Sequence, residues 1–422
     1  MKNVKFYTLG CKVNAYETGA MRALFEKSGY IAVDSGKADV YVINTCTVTA
    51  TGDQKSRQMI HRARRENPHA IVAVVGCYAQ SSTDEVRAID GVDIVLGTAD
   101  RSKIVDYVNS FCGDRIDAVH ETIEARYEEL TSAAQSRTRA ALKIQDGCDS
   151  FCAYCIIPYA RGPARSRAMD SLIDEARTLA GAGYTEMVLT GINLSLYGID
   201  TGHTLADAVQ AVCGVEGVKR VRLSSLEPLT MTDEFINAVK PLKNLCPSFH
   251  LSMQSGCEKT LWRMNRKYTP KRYLELTEAL RAAFPGCAIT TDVMVGFPGE
   301  TDEEFAESIK TAEKARFADM HVFRYSRRKG TVAANMPNQV PSGVSEARSK
   351  QMIKLGKQMK REFCEGYIGK TTEVLFETET EGFTDTYVRV RVPAAKGIEN
   401  SYQTVKITAY DGDVCIASLK IT

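Results

Sequence analysis

Between residues 141 and 325 the chain alternates short β-forming runs with longer stretches of helical periodicity, and that alternation leaves few folds open. The β-like runs fall at 141–145, 186–190, 219–224, 248–253, 288–295 and 320–325, with helical stretches at 171–182, 205–212, 233–240, 270–283 and 302–316. A strand, a helix and a second strand of the same sheet make a parallel, right-handed crossover. Six strands at a spacing of roughly 35 residues predict an incomplete, six-stranded version of the parallel barrel, with reactive groups at the C-terminal ends of its strands.

The loop after the first strand, Cys148-Asp149-Ser150-Phe151-Cys152-Ala153-Tyr154-Cys155, spaces three cysteines as C-x3-C-x2-C. Structural zinc usually takes two C-x2-C hooks; here the second hook is missing nearby and no His lies within ten residues. Three thiolates on one tight loop suit an iron–sulfur cubane with one iron left open to a substrate or cofactor. The plainer reading is three buried thiols in a core loop. Other strand ends carry Thr190-Gly191-Ile192-Asn193, Ser224-Ser225-Leu226-Glu227-Pro228, Gln254-Ser255-Gly256-Cys257 and the run 292–301. Polar groups beside glycines on one rim suit a polar cofactor pressed against backbone. Glu300 reads instead as a helix-start residue, with Thr301 as the cap.

Ahead of the barrel, runs at 4–9, 40–44 and 71–75 each end at a cysteine: Cys11, Cys46 and Cys77. Helical stretches at 14–28 and 52–66 separate them, so this region reads as an open parallel sheet covered by helices, completed by a strand at 92–96 and a helix at 103–111. Loops after neighbouring strands of such a sheet gather at one edge. The three cysteines are therefore candidates for a second three-thiolate site; the alternative is small residues suited to tight turns. Cys112 stands outside the pattern. The helix 53–66 carries Lys55, Arg57, Arg62, Arg64 and Arg65 with His61. Both a solvated face and a phosphate-contacting face fit that run.

Residues 113–139 are polar and aperiodic, a linker with a hairpin-like stretch around 118–130. After a helix at 345–366 come short strands at 372–376, 387–392, 403–408 and 414–419, a small all-β barrel. The domain reading is 1–112, a linker 113–139, 140–363 and 364–422, an α/β protein with a small all-β end. The tail 417–422 reads as a strand.

With 54 basic and 52 acidic residues, the chain offers no bulk field for a polyanion. The last module is acidic, six basic residues against nine from 365 to 422. Thirteen cysteines, an odd number with no secretory leader, argue for a reducing cytoplasm. No apolar run is long enough to span a bilayer.

The C-x3-C-x2-C loop, the aromatic Tyr154 before its last cysteine and the partial barrel resemble the radical S-adenosylmethionine (SAM) superfamily. Adding Cys11, Cys46 and Cys77 makes the chain similar to the methylthiotransferases over essentially its whole length, the last sixty residues resembling the small β-barrel called TRAM. The motifs Leu9-Gly10-Cys11-Lys12-Val13-Asn14-Ala15-Tyr16-Glu17, Asn44-Thr45-Cys46-Thr47-Val48-Thr49 and Gly76-Cys77-Tyr78-Ala79-Gln80 resemble the branch that modifies N6-threonylcarbamoyladenosine at position 37 of tRNA. The resemblance implies two [4Fe-4S] clusters and two uses of SAM. One SAM methylates a sulfur held at Cys11, Cys46 and Cys77; the other, at Cys148, Cys152 and Cys155, yields the 5′-deoxyadenosyl radical. Both clusters are expected to face one cavity.

With the cofactor so named, its expected contacts are Tyr154, Thr190, Gly191, Asn193, Ser225, Glu227, Gln254 and Asp292. Candidate RNA contacts are Arg57, Arg161, Arg165, Arg167, Arg327, Arg328 with Lys329, and Arg389 and Arg391 with Tyr387 or Phe383 for stacking. For the rim arginines, neutralising the SAM carboxylate or facing solvent stays open, and so does a TRAM-like module that only packs on the barrel as a lid. The partners implied are the tRNA anticodon loop, an electron donor such as flavodoxin or ferredoxin, and a sulfur source. The rival readings are the same chemistry on isopentenyladenosine 37 or a ribosomal-protein aspartate, and a non-catalytic, metal-stapled RNA-binding protein.

Overall fold

The central strands of the first domain read Val-Tyr-Val-Ile-Asn-Thr and Ile-Val-Ala-Val-Val-Gly, apolar at nearly every position. Strands of that kind need cover on both faces. The computed structural model, which describes residues 1–48, 50–122, 126–132, 138–393 and 395–420, supplies it. Val40 and Val42 pack with Met21 and Phe25 of the helix Lys12–Lys27, while Tyr41 and Ile43 pack with Ile60 and Ala63 of the helix Ala50–Glu66. The sheet is all-parallel, in the order Ile31–Ala32, Asn3–Thr8, Val40–Thr45, Ile71–Gly76, Ile94–Leu96, Ile116–Ala118.

Two of these strands are not legible in the sequence. Ile31–Ala32 and Ile116–Ala118 are edge strands of two and three residues, too short to show a period. The second lies inside the stretch read as linker, and its parallel pairing with Ile94–Leu96 replaces the start of the expected hairpin. Residues 126–132 carry no strand, and 123–125 and 133–137 of that stretch lie outside the described residues. The stretch is also not a solvated tether: Thr122, Leu130 and Ser132 are buried, and the Tyr16 hydroxyl donates to the Leu130 carbonyl at 2.6 Å.

Six parallel strands follow, Ala140–Lys143, Glu186–Thr190, Arg220–Leu223, Ser248–His250, Ala288–Val295 and Asp319–Arg324. The first three and last three form separate ladders, stitched between the third and fourth by Cys246 N to Val221 O (2.9 Å) and Leu226 N to His250 O (2.9 Å). The first and sixth strands do not pair among the described residues, so the barrel is open. The exit helix Ser342–Glu365 packs on the last strand and leads into a closed five-stranded barrel, Thr371–Phe376, Glu381–Thr384, Arg389–Arg391, Cys415–Leu419 and Tyr402–Tyr410 in spatial order. Glu381–Thr384 is the strand missed in the sequence; Gly382 sits there because a Cβ would meet Leu375 O at 2.2 Å. Residues 421 and 422 of the expected tail strand lie outside the described residues. No helix of the described residues is long and apolar enough to cross a membrane.

Candidate metal centres at the domain interface

The three N-terminal strands finish level, Thr8 opposite Asn44 and Thr45 opposite Gly76, so the loops bearing Cys11, Cys46 and Cys77 leave the sheet side by side. The residues around the cysteines hold those loops. Asn14 Nδ2 donates to Leu9 O (2.7 Å) and Thr45 O (2.9 Å), Asn44 Nδ2 donates to Asn14 O (3.0 Å), and Thr45 Oγ1 donates to Val75 O (2.6 Å) while accepting from Tyr78 N (3.2 Å). Gly10, at φ +98°, leaves the room that Cys46 fills: a Cβ there would meet Cys46 Cβ and Sγ at 2.7 Å. Thr49 of the second motif lies outside the described residues.

Cys11 is exposed, Cys46 half-buried and Cys77 buried as the first residue of the short helix Cys77–Ser81, and all three are free thiols. Burial pushes the Cys46 thiol up and the Cys77 thiol up to about 11, with a charge on Cys11 pushing both the same way and Arg161 opposing. Among the described residues no three His, Cys, Asp or Glu side chains are arranged to hold a single metal ion. A cubane asks for something different, one thiolate at each of three corners. Three free thiols on adjacent strand ends are a donor set that fits it.

The central trio sits at the C-terminal end of the first barrel strand. Its loop is clamped by Cys148 N to Gly162 O (3.0 Å), Ala153 N to Met264 O (3.0 Å) and Ala333 N to Ala153 O (2.8 Å). Gly147, at φ +71°, is required because a Cβ would strike Pro163 O at 1.8 Å. The Arg266 guanidinium donates to Cys152 Sγ at 3.3 Å and to Glu227 at 3.0 Å. Asn193 Nδ2 lies 3.7 Å from Cys148 Sγ. Burial raises the Cys152 and Cys155 thiols, the latter to about 12, and Arg266 pulls against it at Cys152.

The expected SAM contacts fall into three groups. Asn193 and Glu227 stand beside the sulfur loop through Cys148 and Arg266. Gln254 and Asp292 lie on adjacent strands, joined by Gln254 N to Asp292 O at 2.9 Å; Gln254 is buried at φ +60° with its Oε1 lacking a hydrogen-bond partner, and Asp292 is 3.3 Å from His250. Such an orphaned buried acceptor on this rim fits a bound polar ligand. Tyr154 packs against Phe297, Thr190 is buried, Gly191 lies against Gln145, and Ser225 is exposed. Glu300 accepts from Gly296 N (2.7 Å) and Arg348 (2.9 Å), and Thr301 caps the helix Asp302–Ala315.

Several expected RNA contacts are corrected. Arg161, Arg165, Arg167 and Arg328 are buried, out of reach of a phosphate backbone, because each is drawn inward by carboxylates. Arg161 and Arg165 pair with Asp146, Arg167 with Glu175, and Arg328 with Asp53 across the domain boundary. Arg389 and Arg391 are both held by Glu381 at 2.6 Å, with Asp413 and Asp411 beyond. Phe383 and Tyr387 meet Arg139 (5.1 and 4.9 Å to the ring centres), and Arg222 donates to Asp385 O (2.7 Å) and Thr384 O (2.6 Å). The small barrel thus packs on the large one. Arg57 is half-exposed, bonded to the Tyr78 hydroxyl at 2.9 Å, and Arg327 is exposed with Lys329 beside it.

What the sequence did not foresee is how the domains are joined. The helix Cys77–Ser81 packs directly on the helix Ile157–Arg161, which follows the central cysteines. From the latter, Arg161 donates Nε–H to Cys77 Sγ (3.2 Å), and its other nitrogens reach Glu17 (2.8 Å), Asp146 (2.9 Å) and Asn14 (2.9 Å). Lys143 bonds Glu17 (2.8 Å) and Asp146 (2.6 Å), and Arg101 lies 3.0 Å from Glu17. No local pattern marks these pairings, because the partners of Arg161 lie up to 147 positions away.

Residues 142–312 match the radical SAM superfamily and residues 3–97 match the uncharacterised protein family UPF0004. The chain is 45% identical to the threonylcarbamoyladenosine tRNA methylthiotransferase MtaB of Bacillus subtilis, covering 96% of this chain and 94% of that one. It is 39% identical to the Thermotoga maritima protein of the same name, over 89% and 87%. It is also 36% identical to a tRNA-2-methylthio-N(6)-dimethylallyladenosine synthase of Thermoanaerobacter pseudethanolicus, over 89% and 83%. In fold it is similar to the radical SAM methyltransferase TsrM of Kitasatospora setae, at 14% identity and a TM-score of 0.58 over 76% of this chain and 73% of that one. With its sulfur-bearing sheet docked on a radical SAM barrel and relatives of this closeness along nearly its whole length, the chain belongs to the radical SAM tRNA methylthiotransferases, enzymes that use SAM and an iron–sulfur cluster.

Proposed function

We propose that this enzyme converts N6-threonylcarbamoyladenosine at position 37 of tRNA to its 2-methylthio derivative, with two [4Fe-4S] clusters and two molecules of SAM. C2 of adenine has no acidic proton and no leaving group, so side-chain acid–base chemistry cannot activate it and the cofactors must. Bound at Cys148, Cys152 and Cys155, one cluster would supply the electron that cleaves SAM, and the other, at Cys11, Cys46 and Cys77, would hold the sulfur to be transferred. The observation that supports this reading is the direct packing of the helix begun by Cys77 on the helix that follows Cys155, with Arg161 of the latter donating to Cys77 Sγ.

The protein's own part is to hold and orient. Arg266 braces Glu227 while donating to Cys152, and Gln254 offers a buried acceptor with no partner among the described residues. The Glu227 carboxylate and the Gln254 carbonyl suit the amino and hydroxyl donors of SAM. The threonylcarbamoyl substrate is favoured by the relatives at 45% and 39% identity over that at 36%. The reaction would take place in the cytoplasm, with an electron from a carrier such as flavodoxin or ferredoxin and sulfur from a separate source. Mass spectrometry of total tRNA nucleosides from cells with and without the gene tests it. Loss of the 2-methylthio-threonylcarbamoyl nucleoside alone supports the proposal; unchanged tRNA, or loss of the isopentenyl derivative, overturns it.

A further inference from the structure

The buried cluster between the domains does not balance. Its cations are Arg101, Lys143, Arg161 and Arg165, and its carboxylates are Glu17, Glu128 and Asp146. Among the described residues, four positive charges face three negative ones. A buried charge without a counter-charge costs several kcal/mol, so the surplus cation needs an anion close by. Among the described residues, three of the four cations pair with carboxylates and backbone carbonyls, Lys143 also lying over the Tyr127 ring at 5.4 Å, and none of the three is placed on a sulfur. Arg161 is the exception: its Nε–H points at Cys77 Sγ, 3.2 Å away. Its other nitrogens are occupied by Glu17, Asp146 and Asn14, which fixes the guanidinium plane and leaves the sulfur as the acceptor for Nε.

Arg161 also belongs to the other centre. It ends the helix that starts two residues after Cys155, and Gly162 O accepts from Cys148 N at 3.0 Å. Asp146, which it grips, stands two residues before Cys148 and accepts from Gly147 N at 2.8 Å. One side chain therefore touches a sulfur of the first trio while both flanks of its anchorage are the two ends of the second trio's loop.

We propose that Arg161 is the positioning residue of the N-terminal centre: it places the surplus buried charge and a hydrogen bond on the Cys77 sulfur, and through its helix holds that centre in register with the Cys148 loop. The inference rests on the reading of Cys11, Cys46 and Cys77 as cluster ligands. Reduction adds negative charge to a cluster, and a donor to a ligand sulfur favours that charge, so Arg161 raises the reduction potential of the centre.

The test uses the full chain carrying Cys148→Ala, Cys152→Ala and Cys155→Ala, reconstituted anaerobically with iron and sulfide and titrated with reductant under electron paramagnetic resonance. Into it go Arg161→Gln, Arg161→Lys and, as a control that removes the same charge without touching sulfur, Lys143→Met. Arg161→Gln is expected to move the midpoint to lower potential by more than Lys143→Met does, with Arg161→Lys in between. If Arg161→Gln does not fold, Arg161→Lys carries the comparison, with a midpoint below that of the parent expected. An unchanged midpoint, or equal shifts in the glutamine variant and the control, overturns the role of Arg161. A parent protein that binds no iron overturns instead the reading of the first trio.

Discussion

The two sulfur trios solve one problem by opposite routes. Cys148, Cys152 and Cys155 sit within eight residues on one loop, turned by Gly147 and Gly162 nearby and clamped by Met264 and Ala333 from farther along the chain. Cys11, Cys46 and Cys77 are spread over 67 residues and meet because three parallel strands end level. Each trio nonetheless has one buried arginine donating to one sulfur, Arg266 to Cys152 and Arg161 to Cys77, each steadied by a carboxylate. A local loop and a set assembled by topology thus converge on the same electrostatic arrangement, an arginine N–H on one sulfur.

The comparison breaks most sharply at the sulfurs. Cys152→Ala is expected to abolish reductive cleavage of SAM, read as 5′-deoxyadenosine by chromatography, whereas Cys46→Ala should keep cleavage and lose methylthiolation. Equal loss in both would erase the division of labour. Next comes Arg266→Met, which removes a support of a ligand and of Glu227; a loss of roughly 10–100-fold in iron retention or SAM cleavage is expected, with cluster content measured by iron and sulfide analysis. Retention equal to the native protein would make Arg266 a bystander.

Away from sulfur the effects turn from chemistry to stability. Arg222 and Glu186 are both buried, 2.5 Å apart, at the seat of the small barrel. Among the described residues, Arg222→Met leaves the carboxylate with longer contacts to Arg139 and Arg220 (4.0 and 3.8 Å), and a cost of about 3 kcal/mol is expected in urea unfolding. SAM cleavage should survive it. Glu17 sharpens the comparison by pH: burial alone would raise its carboxyl, but Arg101, Arg161 and Lys143 hold it at about 2. Because the folded value lies below the ordinary 4.5, its contribution is full above that value and is lost as the pH falls toward 2. Iron-free protein unfolded in urea should show no change from this group between neutrality and about pH 5, and a progressive loss below. The smallest effect is expected from Arg389→Ala and Arg391→Ala. Both arginines are already paired with Glu381, so tRNA affinity measured by filter binding should fall by less than roughly threefold, as for other exposed, salt-bridged side chains.

What was legible in the sequence followed the range of the forces involved. The strands Glu186–Thr190 and Ala288–Val295 and the helix Pro270–Ala283 stand where their periodicity put them, since each is long and its pattern is its own. Glu381–Thr384 and Ile116–Ala118 were missed because a strand of three or four residues exists only by its partner. The arginines failed for a related reason. Arg161, Arg167 and Arg328 look like a basic rim when read along the chain, and only the fold brings Glu17, Glu175 and Asp53 up to bury them.

The sequence by itself determined the chemistry: the spacing of the thiols, the glycines that let their loops turn, and the strand–helix alternation that sets those loops at strand ends. These are properties of residues a few bonds apart, and they survive without knowledge of what packs against them. Tertiary structure alone decided where the charges go. A guanidinium is a surface group or a buried partner of sulfur according to which carboxylates reach it, and for Arg161 and Arg328 the carboxylates of Glu17 and Asp53 arrive from another domain.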